Sequence, residues 1–276
     1  MLPLISFSCV ITAETENFGS LYRGSAFLLK LSSQNGTAFY EISWQGRNIT
    51  APTEISGSDD ENPPATLLLI PVEYGKSGDF ELSVRAEGCE EAKQVITVSE
   101  YSYERENLTV DPKYVTISQE TLEQIRYEQG IISSVLSIIS AERRWRIPLA
   151  RPRNSPLRSP FGVLRVFNGE PRSRHSGLDF AGAVGSEVKA VENGTVTAAG
   201  DFYFGGKCVI IDHGLGLSSI YMHLSEIAAS VGDEVERGAV IGKVGATGRV
   251  TGPHLHLGIS VFGMVIDPLP LLEKGR

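Results

Sequence analysis

The most informative stretch of this 276-residue sequence is Thr251-Gly252-Pro253-His254-Leu255-His256-Leu257-Gly258-Ile259. Its apolar and β-prone residues predict a strand, and the side chains of a strand alternate between its two faces. His254 and His256 are therefore expected on the same face. Two imidazoles on one face favour a site for a transition-metal ion such as zinc. The alternative is a pair of half-exposed strand histidines with no metal.

The other histidines favour the metal site. The chain has five histidines, all in its C-terminal part: His175, His213, His223, His254 and His256. His175 is followed four residues later by an acid, Asp179. One carboxylate and two imidazoles form a three-ligand zinc site with an open fourth position, which is typical of catalytic zinc. Structural zinc sites are usually closed by cysteines, and this chain has only three, widely spread.

Charge is distributed unevenly along the chain. Residues 1–110 contain 16 acidic and 7 basic residues, a net charge of −9, whereas residues 111–276 contain 17 and 18, a net charge of +1. No dense basic face is evident, so we expect no nucleic-acid partner. Nine arginines between Arg143 and Arg174 accompany a single acid, Glu170, and are predicted to form a solvated linker face. No apolar run approaches the ~20 residues that span a bilayer, so no transmembrane segment is predicted.

The cysteines and the first residues bear on the cellular compartment. Cys9 and Cys89 both lie in the front part and are expected to form a disulfide if the protein is exported. Cys208 lies in a β-prone run and is predicted to be a small buried apolar residue. The apolar stretch from Leu2 to Ile11 is short and lacks a basic start, so it is interpreted as a first strand rather than as a signal remnant.

Residues 1–110 predict a small accessory β-sandwich. Short β-prone runs alternate with turn signals, and no helical period is present. The main runs are Ala26–Leu31, Phe39–Trp44, Ala65–Pro71, Phe80–Val84 and Gln94–Val98. No cluster of reactive residues occurs here, so this part is expected to be an interaction or positioning module.

Residues 111–147 are predicted to be a helical connector. Ser118 is the expected N-cap. An interruption of the helix, if there is one, is expected at Gly130. Apolar residues recur at helical spacing: Leu122, Ile125, Ile132, Val135 and Ile139. Three arginines, at 143, 144 and 146, are expected just beyond the helix end, where cations are favoured.

Residues 148–276 are predicted to form a mostly antiparallel sheet with tight glycine turns, which makes the whole chain mainly β. The predicted strands include Gly194–Gly200, Cys208–Asp212, Ser218–Leu224, Asp233–Val235, Val240–Val244, His254–Val261 and Met264–Ile266. Short loops would hold the histidines on rigid elements, as a functional site requires.

This C-terminal part resembles the LytM/lysostaphin-type zinc metallopeptidases over most of residues 155–268. The resemblance is carried by an ordered set of motifs, namely His175–Asp179, Tyr221–Ser225 and Gly252–His256, and by intervening glycine-rich strand runs. It implies one zinc ion bound by His175, Asp179 and His256, with His223 and His254 as catalytic residues. It also implies a substrate in the peptide crosslinks or bridges of bacterial peptidoglycan, and hence a periplasmic or extracellular location in the cell envelope.

The two catalytic histidines would supply the general base that the sequence otherwise lacks. The chain contains no HExxH motif, so no glutamate is placed as general base. One histidine would take a proton from water, and the other would stabilise the oxyanion or protonate the leaving amine. The sequence does not show which of the two histidines has which role. His213 lies in a glycine-rich run and is predicted to be a turn residue or a residue that supports the metal ligands without binding the metal. Tyr221 is expected either to contact substrate or to pack.

Two other functions remain open. Some members of the family act as regulators or scaffolds of other wall hydrolases without cleaving peptides themselves. The residue pattern of 231–242 also resembles that of a biotinyl/lipoyl carrier domain. A carrier presents its lysine on an exposed turn, however, and Lys243 falls inside a strand-like run.

Two structural expectations concern the relation between the parts. We expect residues 145–276 to fold alone and to bind one zinc ion, because every motif lies there. The acidic front part is expected to dock weakly near the cleft entrance through its contact with the arginine-rich stretch. Exposed ion pairs contribute little, so this contact should be sensitive to salt.

Overall fold

A computed structural model describes residues 9–33, 37–54, 65–108 and 118–274. These residues form twenty strands and one α-helix, so the prediction of a mainly β protein is confirmed. Most of the strand predicted at the start of the chain falls on residues 2–8, outside the described ranges. Within those ranges, no helix is long and apolar enough to cross a membrane.

The front part contains eight strands. They are β1 (Ile11–Asn17), β2 (Ala26–Ser33), β3 (Phe39–Trp44), β4 (Arg47–Pro52), β5 (Thr66–Pro71), β6 (Gly78–Arg85), β7 (Ala92–Val98) and β8 (Arg105–Leu108).

The rest of the described chain contains the helix, twelve strands and a short 3₁₀ turn. They are α1 (Gln119–Leu136), β9 (Leu157–Ser159), β10 (Leu164–Phe167), β11 (Glu170–Arg174), β12 (Leu178–Ala181), β13 (Glu187–Lys189), β14 (Gly194–Phe202), β15 (Gly206–Asp212), β16 (Leu217–Ile227), β17 (Glu234–Val235), β18 (Val240–Val244), β19 (His254–Val261), β20 (Met264–Ile266) and the turn Leu269–Leu271.

Two antiparallel sheets of the front part form the predicted small sandwich. Strands β1-β2-β5 make one sheet and β4-β3-β6-β7 the other. In β3 every second side chain is buried, which is the pattern of a strand with one face on a core. Trp44 of β3 meets Phe27 of β2 edge to face at 5.3 Å, and its indole N–H donates to the carbonyl of Pro71 at 2.9 Å. A disulfide joins Cys9 to Cys89, the pair that the sequence analysis named.

A ten-stranded antiparallel sheet dominates the C-terminal part. Its main path is β17-β14-β15-β16-β19-β12-β9, with β13, β18 and β20 attached beside it. Strand β19 lies between β16 and β12, and its residues are almost all buried. The register places His256 opposite both Asp179 of β12 and Met222 of β16. Strand pairing therefore brings together two motifs that lie far apart in the sequence.

Helix α1 packs on this sheet. Ser118 is its N-cap, as predicted, and its hydroxyl accepts a hydrogen bond from the backbone N–H of Thr121. Gly130 does not interrupt the helix, which ends at Leu136, so Ile139 lies beyond it. Apolar residues of its last turns contact the sheet residues Ala198, Ile210, Ile220 and Met222.

The interpretation of the arginines after the helix holds only in part. They begin well past Leu136 and do not cap the helix. Arg146, Arg158 and Arg174 are exposed, as a solvated face requires, whereas Arg143 and Arg144 are half-buried and paired with acids. Arg143 contacts Glu54 at 2.9 Å, and the Glu54 side chain is only 5% exposed. Arg144 contacts Glu234 at 2.7 Å. These arginines are therefore structural links, with Arg143 joining the helical connector to the sandwich.

The two parts of the chain meet at a buried seam. Strand β8 pairs in parallel with β10, so a segment of the front part extends a sheet of the back part. Tyr22 donates to a carboxylate oxygen of Asp267 at 2.8 Å, and Tyr74 donates to the carbonyl of Gly162 at 3.0 Å. Burial raises the pKa of Asp267. The contact is thus mainly aromatic and hydrogen-bonded, rather than the weak contact of surface charges that the charge pattern had suggested.

The seam leads to a prediction about the fragment 145–276. The fragment should fold, because the ten-stranded sheet has its own buried residues, but it lacks β8, helix α1 and the aromatic cover of Phe161. We expect its free energy of unfolding to be lower than that of the full chain by a few kcal/mol, since each lost aromatic pair contributes ~0.5–1.5 kcal/mol. Urea unfolding of both proteins measures this difference, and equal midpoints would show that the seam contributes nothing.

Candidate metal centre

Three side chains converge where β12 and β19 pair. His175 Nε2 lies 2.8 Å from Asp179 Oδ1 and 3.0 Å from His256 Nδ1, and the last two atoms are 3.0 Å apart. All three residues are buried. Gly177 makes this approach possible, because a Cβ at that position would overlap the carbonyl oxygen of Leu257. The predicted ligand trio is therefore assembled in space.

A backbone contact fixes the tautomer of His175. Its Nδ1 lies 2.6 Å from the carbonyl oxygen of Pro160, which only accepts hydrogen bonds. Nδ1 must therefore carry the hydrogen, and in a neutral ring the lone pair of Nε2 faces Asp179. Such orientation by a carbonyl is common for histidines that bind metals.

The protonation of the trio fits a cation. Burial disfavours ionisation of Asp179, but its contacts with His175 and His256 outweigh this effect and hold its pKa well below the usual range. Burial lowers the pKa of His256, which favours a neutral ring. Histidines that bind a metal do so in the neutral form, so a ligand trio of this kind carries the net negative charge of its carboxylate. When Nε2 of His175 is unprotonated, its lone pair faces the anionic oxygen of Asp179, and the two repel each other. A cation bound by these two atoms and by Nδ1 of His256 would remove that repulsion and give each atom a partner.

His254 and His223 lie beside the trio. Nε2 of His254 is 3.6 Å from Asp179 Oδ1, and its Nδ1 is 2.8 Å from the carbonyl of Gly252. Nδ1 of His223 is 3.0 Å from the carbonyl of Thr247. The ring centroids of His223 and His254 are 4.9 Å apart. Each ring thus donates from Nδ1 to a carbonyl, which leaves Nε2 available for proton transfer.

The backbone of His223 is unusual. Its φ of +65° lies in the left-handed region, which few residues other than glycine adopt. Its backbone N–H donates to the carbonyl of Gly205 at 2.8 Å. Burial lowers the pKa of His223 to about 4, so the ring is neutral near pH 7. The sequence did not identify Pro160, Gly205 or Thr247 as part of the site, because they act through backbone carbonyls that any residue type carries.

The C-terminal part of the chain matches a known protein family. The sequence profile described as peptidase family M23 matches residues 173–268, which include all five residues of the site. The chain contains a peptidase family M23 domain.

Some relatives of the M23 domain are named as peptidoglycan endopeptidases, and others only as metalloproteases. The DD-carboxypeptidase/endopeptidase Mpg of Neisseria meningitidis is 40% identical over 113 residues, which cover 41% of this chain and 26% of that protein. The peptidoglycan DD-endopeptidase ShyA of Vibrio cholerae is 40% identical over 95 residues, or 34% of this chain and 22% of that protein. The chain thus spans about a quarter of the length of these curated relatives.

One solved structure is similar well beyond the M23 domain. It is a crystal structure from Pseudomonas aeruginosa described as a peptidase M23, with 28% sequence identity and a TM-score of 0.69. The match covers 92% of this chain and 96% of that one. The arrangement of a front β part before an M23 domain therefore occurs in another protein.

His213 and Tyr221 lie inside the M23 domain, in a separate polar network. The ring of His213 is fully buried, 2.7 Å from the carbonyl of Asn193 and 2.7 Å from the hydroxyl of Ser219. Ser219 in turn donates to the Tyr221 hydroxyl, which also accepts from the backbone N–H of Val191. Of the two alternatives for Tyr221, packing is therefore the one observed.

Replacing His213 by alanine should affect stability rather than metal binding. The change leaves a cavity and removes the hydrogen-bond partners of Asn193 and Ser219, so we expect a loss of about 2–4 kcal/mol in the free energy of unfolding. Metal content per chain should be unchanged in the folded protein. Denaturant unfolding together with elemental analysis checks both expectations, and loss of metal from a folded variant would contradict them.

Two remaining sequence interpretations concern single residues of the M23 domain. Lys243 lies within β18, with its ammonium 2.7 Å from Glu226, and not on an exposed turn of the kind that a carrier lysine requires. Cys208 is a buried free cysteine, as predicted.

Proposed function

We propose that this chain is a zinc-dependent endopeptidase that hydrolyses peptide crosslinks or bridges of bacterial peptidoglycan. The observation that carries the proposal is the convergence of two groups of side chains. His175, Asp179 and His256 form a compact buried donor set, and His223 and His254 lie beside it, each with Nδ1 at a backbone carbonyl. The names of the relatives support the substrate class.

The donor set fits zinc. Two neutral imidazole nitrogens and one carboxylate oxygen are the ligand types of catalytic zinc sites, which keep a fourth position open. In the proposal, His175 binds through Nε2, Asp179 through Oδ1 and His256 through Nδ1. Zinc in such a site acts as a Lewis acid that polarises a carbonyl and lowers the pKa of water.

His223 and His254 are proposed to move protons. Each holds its Nδ1 hydrogen against a backbone carbonyl, so each Nε2 accepts a proton first and donates it afterwards. One ring would accept the proton of the attacking water. That proton would then reach the leaving amine, either directly from the same ring or through the other ring, which would stabilise the oxyanion while protonated. The low pKa of His223 makes it a weak base, but it keeps the ring unprotonated and ready to accept.

We also propose a location in the cell envelope. Peptidoglycan lies outside the cytoplasm, and the disulfide between Cys9 and Cys89 supports an oxidising compartment.

The decisive experiment is digestion of defined crosslinked peptides by the zinc-loaded full chain, with mass analysis of the products. We expect cleavage of one bond type, loss of activity after chelation and recovery when zinc is added. Asp179→Asn provides the inactive control. If the zinc-loaded chain leaves every crosslinked peptide and purified peptidoglycan intact, the proposal fails. A regulator or scaffold of other wall hydrolases then becomes the better description.

A further inference from the structure

A second candidate site lies at the seam between the front part and the M23 domain. A cavity of about 240 Å³ opens there, lined by Arg23, Tyr74, Gly75, Tyr103, Arg105, Leu164 and Arg174. We call it the seam cavity. Its walls come from both parts of the chain, and it contains none of the five residues of the metal centre.

The seam cavity is strongly basic. Three guanidinium groups line it, and no acid does. Arg23 contacts Glu100 at 3.5 Å, but the Glu100 side chain is 71% exposed, so solvent weakens this pair. Within the described ranges, no carboxylate lies within ion-pair distance of Arg174, and Arg105 contacts the side-chain oxygen of Asn107. The cavity therefore offers positive charge to an anion from outside the chain.

Aromatic rings hold one guanidinium in place. The rings of Tyr74 and Tyr103 stack with centroids 4.5 Å apart, and the guanidinium carbon of Arg174 lies 3.9 Å from the centroid of Tyr74. A guanidinium stacked on a ring keeps its N–H groups at its edge, where they match the two oxygens of a carboxylate. A planar carboxylate is thus the ligand that this wall fits.

The seam cavity is also connected to the metal centre. Arg174 directly precedes His175, whose backbone exchanges hydrogen bonds with Gly162 and Val163. Tyr74 donates to the carbonyl of Gly162, and a Cβ at Gly162 would overlap the ring of Tyr103. The rings that line the cavity therefore pack against the segment that positions the backbone of His175.

We propose that the seam cavity is an accessory subsite that binds a carboxylate of the peptidoglycan peptide away from the cleaved bond. The proposal rests on the proposed function, because that function supplies a substrate rich in free carboxylates. Binding at the subsite would hold one part of a branched substrate while another part lies at the metal centre.

The test measures binding separately from cleavage. An uncrosslinked peptidoglycan peptide with free carboxylates is titrated into the zinc-loaded full chain by calorimetry, alongside the same peptide with its carboxylates amidated. We expect the amidated peptide to bind more weakly by about 10-fold, the usual effect of a lost charged hydrogen bond. Arg174→Gln and Arg105→Gln should weaken binding of the free peptide by a similar factor. Arg85→Gln, an exposed arginine paired with Glu91 on the front part, is the matched control and should change nothing.

Arg105 is exposed, so its variant is expected to fold even if the change at Arg174 disturbs the stack on Tyr74. In hydrolysis of a crosslinked peptide, Arg105→Gln should raise KM and leave kcat unchanged, as expected for lost binding that is equal in ground and transition states.

Equal affinity for the free and amidated peptides would overturn the inference. Inorganic phosphate that binds as tightly as the peptide would also overturn it, in favour of a phosphate site. Cleavage without carboxylate dependence refutes only the subsite, whereas carboxylate-dependent binding without cleavage refutes only the peptidase.

Discussion

Replacing His256 or Asp179 by alanine should remove the metal from the folded protein and abolish hydrolysis. Their ligand atoms lie 3.0 Å apart on paired strands, and each also contacts His175 Nε2. A three-ligand site reduced to two retains little affinity for zinc. Loss of only a supporting residue typically lowers metal affinity by about 10- to 100-fold, so loss of a ligand should exceed that. Elemental analysis after gel filtration measures the metal that remains per chain.

His213→Ala is the matched control for this experiment, because it also removes a buried histidine of the same domain but lies outside the donor set. It should retain its zinc. The comparison with His254→Ala is sharper, since His254 and His256 lie on one strand and both approach Asp179. Zinc retained in His256→Ala and lost from His254→Ala would show that the ligand is His254 and that the two roles are exchanged.

The sequence predicted the parts of the fold that local patterns determine. The strands β14 to β20 lie at the predicted positions because apolar alternation and glycine turns mark them directly. The strands β4, β12 and β13 were not predicted, and neither were the short strands β8 to β11. Strands β8 to β11 are rich in arginine, proline and polar residues, and β8 and β10 are stabilised by pairing across a long separation in sequence.

The errors have a common physical cause. Ile139 continues the helical period, yet the helix ends at Leu136, because periodicity does not record where packing on the sheet stops. The arginine-rich stretch looked solvated because its acidic partners, Glu54 and Glu234, lie far away in sequence. Ion pairs and seams between distant segments depend on the tertiary fold, which composition alone does not give.

The candidate site was easier to predict than the fold around it. Alternation along a strand places His254 and His256 on one face, and the residue types predict a metal site before any pairing is known. The carbonyls of Pro160, Thr247 and Gly252, which orient the rings, leave no mark in the sequence. Metal chemistry is thus visible in residue types, whereas the orientation of each imidazole requires the structure.

Replacing His223 or His254 by alanine should leave the metal in place and remove most of the activity. Neither ring belongs to the buried donor set, but both lie beside it with Nδ1 held by a backbone carbonyl. A general acid or base contributes about 10²–10⁴-fold in rate, and an oxyanion donor about 10²–10³-fold. Losses in kcat of this size, with zinc content unchanged, are the expected result for both variants.

The backbone of His223 provides a control that separates chemistry from folding. At a φ of +65° alanine is strained, whereas asparagine adopts left-handed backbone more readily. His223→Asn should therefore be more stable than His223→Ala and equally inactive, because its amide does not act as a base near pH 7. Thermal unfolding, zinc content and kcat of the two variants test this directly. If His223→Asn recovers activity along with stability, the ring is structural and proton transfer belongs to His254 alone.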